Sequence, residues 1–132
     1  MNMPNRSGYQ AYQKSKYETA SPHKLISLLY NAAVSNIQRA AKALDEGKLA
    51  DANQFNLKAQ DILYELLSCL NEEQGGEIAA NLKEIYLYCV NQLVRANIRK
   101  DKSVLLEVER HVDNLRQAWL EIGKDVGVGA QS

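Results

Sequence analysis

Two histidines, two cysteines and seven tyrosines are the side chains best suited to chemistry in this chain, and their spacing limits what that chemistry is. A carboxylate-bridged di-iron bundle needs Glu-x-x-His pairs on an inward helix face. Neither His23 nor His111 has a glutamate three residues before it. Cys69 and Cys89 form no Cys-x-x-Cys pair, so they read as two thiols packed in helices rather than as metal ligands. Gly75-Gly76 is a turn, not a phosphate-cradling loop, and no Ser-His-Asp or Cys-His arrangement can be argued. No metal and no cofactor is expected. A phosphotransfer-type signalling bundle acting through an exposed His23 or His111 is the competing reading. It lacks the small mid-helix neighbours such a site uses. A binding module fits better than an enzyme.

The tyrosines are unevenly placed. Residues 1–20 contain no Leu, Ile, Val or Phe, yet carry Tyr9, Tyr12 and Tyr17. Such an arm cannot build a core, so its rings serve as a cap on the body of the protein or as a recognition handle. Tyr9 and Tyr12 are three apart, which puts both on one side of a helical turn.

The arm stops at Ser21-Pro22, a helix start: the serine hydroxyl can accept a free N–H of the first turn, and proline suits the first helical position. Four periodic segments follow. The first runs from Pro22 to about Glu46, with Ile26, Tyr30, Ala33, Ile37, Ala40 and Leu44 in steps of four and three, and Gly47 as its stop. The second, Leu49 to Leu70, carries Phe55, Ala59, Ile62, Leu66 and Cys69, and ends in the loop Asn71–Gly76. The third, Glu77 to Lys100, carries Ile78, Leu82, Ile85, Cys89 and Ala96. Its stretch Ile85–Val90 has strand-like composition, but the surrounding period is helical. The fourth, Lys102 to Ile122, has Asp101 as its cap and Leu105, Val108, Val112, Leu115, Trp119 and Ile122 as its stripe. Short loops make successive helices antiparallel neighbours. The expected fold is all-α: an up-down-up-down four-helix bundle over 21–122, with a flexible arm at 1–20 and a disordered tail at 123–132.

These helices carry more apolar surface than four stripes need. Leu25, Leu28, Leu29 and Ala32 lie beside the first stripe, and Leu63, Tyr64, Leu67 and Leu70 beside the second. The third segment is apolar all round from Ile85 to Val90 and continues in Leu93 and Val94. Such a surplus is either a broad core or a surface covered by the arm, a second copy or a client helix. Balanced charge, 16 basic against 16 acidic residues, argues against nucleic acid or an anionic membrane as the main partner. The chain has no membrane-length apolar run and no signal-peptide pattern, which points to the cytoplasm.

The stretch ASPHKLISLLYNAAVSNIQRA (20–40) resembles the first helix of the flagellar export chaperone family FliS. GGEIAANLKEIYLYCVNQLVRANIRKD (75–101) is similar to its third helix, EVERHVDNLRQAW (107–119) to its fourth, and GYQAY (8–12) to its N-terminal segment. The resemblance covers Gly8 to about Ile122 in order. It implies a non-enzymatic cytosolic chaperone whose client is the C-terminal, unpolymerised segment of flagellin, held before export through the flagellar type III apparatus. It also implies docking of the arm on an export gate protein through Tyr12, with Tyr9 one turn before it. An anti-sigma factor is a further partner that members of the family sometimes hold. For the client groove the surplus positions Leu25, Leu28, Leu29, Ala32, Leu67, Leu87, Val90 and Val94 are the expected contacts, with Leu87 and Val90 placed outside the core.

Overall fold

The computed structural model describes residues 21–130, with the backbone alone for 124–130. Ser21 caps the first helix, α1 (Pro22–Asp45): its Oγ accepts the Lys24 N–H at 3.1 Å, and Pro22 sits at the helix start. Past the C-cap Glu46 the chain turns through Gly47 at φ 72°, a left-handed conformation that costs glycine little. Helix α2 (Leu49–Ser68) follows. Asn71 caps α3 (Glu72–Arg99) by accepting the Gln74 N–H at 3.0 Å. One turn later Gly76, at φ 56° and ψ −128°, interrupts the helix, so Glu72–Gly75 is a separate turn ahead of the regular part of α3. Lys100 closes α3 in the left-handed conformation, and Asp101 caps α4 (Lys102–Ala130) by accepting the N–H and Oγ–H of Ser103. The stretch 85–90 is helical, and no strand occurs among the described residues. The helical backbone of α4 runs past Ile122 to Ala130; the periodic stripe ends at Ile122, so the pattern did not mark these turns.

The helices form a ring: α1 packs on α2 and α4, and α3 packs on the same two. Bonds between Asn31 and Arg116 and between Gln38 and Glu109, like those between Asn53 and Asn97 and between Asn56 and Leu93, run in opposing chain order, the mark of antiparallel neighbours. Across the ring's diagonal, the hydroxyls of Tyr30 (α1) and Tyr86 (α3) meet at 2.6 Å in the core. Burial raises both phenol pKa values, so both stay neutral and satisfy each other. Ile37, Leu63, Leu66, Leu93, Leu105, Val108 and Val112 fill the rest of the centre. Burying each such side chain contributes roughly 1.5–3 kcal/mol.

Two stripes sit differently from expectation. On α2 the buried face is Ala52, Asn56, Ala59, Leu63 and Leu66, leaving Phe55 and Ile62 half-buried and Cys69 exposed. On α3 it is Ala79, Tyr86, Cys89, Val90, Leu93 and Ala96, while Ile78 is 72% exposed. Between the two helices Asn97 meets Asn53, and Asn56 meets the Leu93 carbonyl. Val90 is therefore a core residue, 3% exposed, and so is Leu29 at 2%; neither is surplus surface. Cys89 is sealed in the core, and burial pushes its thiol up to about 11.

Candidate docking face

Leu57 and Tyr64 are seven residues apart on α2, and Leu87 and Val94 are seven apart on α3. Seven residues are close to two helical turns, so each pair lies on one side of its helix. The seam between the two helices is registered by amides. Asn97 Nδ2 donates to Asn53 Oδ1 at 2.6 Å, and Asn56 Nδ2 donates to the Leu93 carbonyl at 3.0 Å. In that antiparallel register Leu57 stands level with Val94, and Tyr64 with Leu87. All four face outward, exposed by 46, 38, 50 and 36% respectively. Leu67, half-buried, extends the strip by a turn.

A second strip lies on the other side of α2. Leu25, Leu28 and Ala32 are half-buried on α1, and Phe55 and Ile62 are half-buried on α2, with Phe55 level with Arg39. Arg39 and Lys58 both lie over the Phe55 ring, at 5.9 and 5.8 Å. Between the strips the outer ridge of α2 is polar, with Asp51, Lys58, Asp61 and Glu65 exposed. The eight expected contacts thus separate into three groups. Leu67, Leu87 and Val94 flank the α2–α3 seam, Leu25, Leu28 and Ala32 flank the α1–α2 seam, and Leu29 and Val90 are interior. Leu57 was missed by the sequence reading, although its seven-residue spacing from Tyr64 was there to find.

A hollow of about 410 Å³ lies between α3 and α4 and is lined by Glu84, Ile85, Tyr88, His111, Asn114 and Leu115. Its rim is already occupied by polar pairing. Tyr88 donates to Glu107 Oε2 at 2.9 Å, and His111 Nε2 approaches the same oxygen at 3.6 Å. The Tyr88 hydrogen bond is the main cause holding the Glu107 carboxyl below its ordinary range.

The other histidine is built into the frame. His23 stacks on Trp119, with centroids 4.8 Å apart and planes 9° from parallel. Its Nε2 lies 2.8 Å from the Trp119 carbonyl, which can only accept, so Nε2 carries the proton. Trp119 Nε1–H in turn donates to the His23 carbonyl at 3.0 Å. A Cβ on Gly123 would overlap the His23 ring, so the imidazole sits close against the Gly123 backbone. Among the described residues no group of His, Cys, Asp and Glu is arranged to hold a metal ion, and no helix is long and apolar enough to cross a membrane. The arm with Tyr9 and Tyr12 lies outside the described residues.

The family model for "Flagellar protein FliS" matches residues 5–126. The flagellar secretion chaperone FliS of Salmonella typhimurium is 38% identical over 125 residues, covering 91% of this chain and 93% of that protein. That of Bacillus subtilis is 37% identical over 117 residues, covering 89% and 86%. A crystal structure described as a flagellar chaperone from bacteria superposes with a TM-score of 0.74 at 17% identity, covering 92% of this chain and 99% of that one, which supports the same fold.

Proposed function

Since the chain belongs to the FliS family of flagellar proteins, we propose that it is a cytosolic export chaperone for flagellin. It binds the C-terminal segment of flagellin, prevents premature polymerisation and delivers the client to the type III export apparatus. The observation that carries this reading is the pair of apolar strips flanking the polar ridge of α2. A helix laid along the α2–α3 seam meets Tyr64 and Leu87 at one level and Leu57 and Val94 two turns on, the spacing of an amphipathic face. The ridge residues Lys58, Asp61 and Glu65 meet the polar side of the same client. Flagellin's end segment orders as it binds, which costs several kcal/mol and calls for a large contact. Two strips on adjacent seams supply that area, and they do so without a nucleotide.

The arm completes the cycle. Its tyrosines cover apolar surface in the free protein, the client displaces them, and Tyr12 with Tyr9 then docks on the export gate. The partner set is thus flagellin, the gate protein and, in some settings, an anti-sigma factor, with neither nucleic acid nor membrane insertion. At His23 the phosphotransfer alternative is not favoured, because the Nε2 proton is committed to the Trp119 carbonyl; at the exposed His111 it is tested by phosphate incorporation.

The test is binding of a flagellin C-terminal peptide to the full chain, with flagellin co-purification from motile cells as its cellular counterpart. Saturable binding is expected; none would end the reading. Deleting residues 1–16 should leave affinity equal or higher, and Tyr12→Ala should weaken gate docking alone. A severalfold loss of client affinity on arm deletion would instead make the arm part of the client site.

A further inference from the structure

The polar side chains at the α2–α3 seam are out of keeping with its position. Asn56 is 2% exposed, on a buried face of α2 otherwise made of Ala52, Ala59, Leu63 and Leu66. Its Nδ2 donates to the Leu93 carbonyl, and its Oδ1 accepts from Gln60 Nε2 at 2.7 Å. One turn along α3, Asn97 reaches Asn53. A single turn of α3, Leu93 to Asn97, therefore receives both rungs. An amide buried without partners is unfavourable, so this seam is satisfied only when that turn stands opposite Asn53 and Asn56.

Between α2 and α3 the amide bonds are the side-chain hydrogen bonds among the described residues that single out one alignment, whereas the Tyr30–Tyr86 pair fixes α3 against α1. The break at Gly76 separates the connecting turn from the rest of α3. A single buried asparagine sets register in the same way in coiled coils. The outward pairs Leu57–Val94 and Tyr64–Leu87 sit on the same two helices, immediately outside the rungs. Their alignment is the alignment of the amides.

We propose that Asn56 is a positioning residue for client docking: its buried amide pins α2 against α3 and so holds the two apolar pairs level. The proposal rests on the reading that this face receives flagellin. A site whose first contacts are held by a satisfied inner layer binds better than one left loose. The pin acts before the client arrives.

The experiment compares the full-length wild type with Asn56→Leu, a change close in volume that needs no partner. Three properties are measured: the thermal melt, affinity for the flagellin C-terminal peptide, and methyl NMR spectra of Leu57, Leu87 and Val94 without peptide. We expect the melt to hold or rise, the affinity to fall by about tenfold or more, and the methyl signals to double or broaden. A merely structural residue would lower melt and affinity together. Unchanged affinity with one sharp set of methyl signals would overturn the pin. Should Asn56→Leu fail to fold, Asn53→Ala with Asn97→Ala removes the outer rung and is judged by the same readouts. If wild type binds no peptide, the functional reading fails by itself, and the methyl spectra still decide for or against the pin.

Discussion

The α1–α4 seam and the α2–α3 seam join helices of similar length in the same antiparallel sense, yet they place their polar groups oppositely. Along α1–α4 the polar pairs are at the rim. Gln38 donates to Glu109 at 2.8 Å, Arg116 reaches Asn31 at 3.5 Å, and Lys102 meets Asp45 at 2.8 Å. The His23–Trp119 clasp closes one end. Along α2–α3 the amides are inside and the apolar side chains outside. The α1–α4 seam is tied by polar pairs at its rim, although α4 also shows Leu106 and Leu120, each 37% exposed. On the proposed reading, the α2–α3 seam, which hides its polar groups and shows leucine, valine and tyrosine, is where a client gains most by binding.

The sharpest way to break the comparison is at neighbouring residues of α3. Val90→Asp puts a carboxylate in the core and should abolish the cooperative melt. Leu87→Asp with Val94→Asp should lower flagellin affinity by more than about 100-fold while the melt moves little. If the double variant also unfolds, the outer strip is part of the core and the comparison fails.

On the closed seam the effects fall on stability. Trp119→Ala should cost about 2–3 kcal/mol by denaturant titration, below the range for a fully buried tryptophan because Trp119 is half-buried. Gly123→Ala should lower the melting temperature by pushing His23 off the indole. Neither should weaken flagellin binding as much as the Leu87 and Val94 double change.

Acid should act on α4 itself and on its contact with α3. Bonds from Ser103 to Asp101, from Tyr88 to Glu107 and from Arg116 to Asp113 are the main causes holding those carboxyls below their ordinary range. A lowered folded pKa stabilises above the unfolded value and is lost as protons return. Melting temperature should therefore be flat from neutral pH to about 5 and fall below about 4. Glu107→Gln should remove part of that dependence.

The smallest effect is expected at the exposed polar rim. Gln38→Ala should change stability by less than about 0.5 kcal/mol and leave binding unchanged, measured by the same titration. A larger loss would mean the closed seam depends on its rim more than on its core.

The helices were legible because their punctuation is local. Ser21-Pro22, Gly47 and Asp101 each act within a few residues of themselves, whereas the segment Asn71–Gly76, expected as a loop, is a helix cap followed by a helical turn that Gly76 breaks. The rotation of α2 and α3 was not legible, because it is decided by a partner distant in sequence. Asn56 and Asn97 look like surface residues until a carbonyl and an amide are found opposite them. Placing those amides inward turns Val90 into the core and Leu57 out of it. The same holds for Leu29, one position from Tyr30 in a helix buried through much of its circumference. Leu87 and Val94 lie outside the core as expected, because an apolar residue beside a stripe is visible as excess in any rotation, while Leu67 is half-buried against the core. His23 looked like an ordinary residue of the first turn, and nothing near it in the chain announced Trp119.

The chain has a single tryptophan, and the fold sets it against an imidazole at the point where residues 1–20 join the bundle. Indole emission responds to a stacked imidazole and to water, and here it comes from one ring at one known junction. The protein therefore contains its own optical probe: a change in its light reports on the root of the arm without any label, while the tyrosines farther out absorb but scarcely interfere under selective excitation.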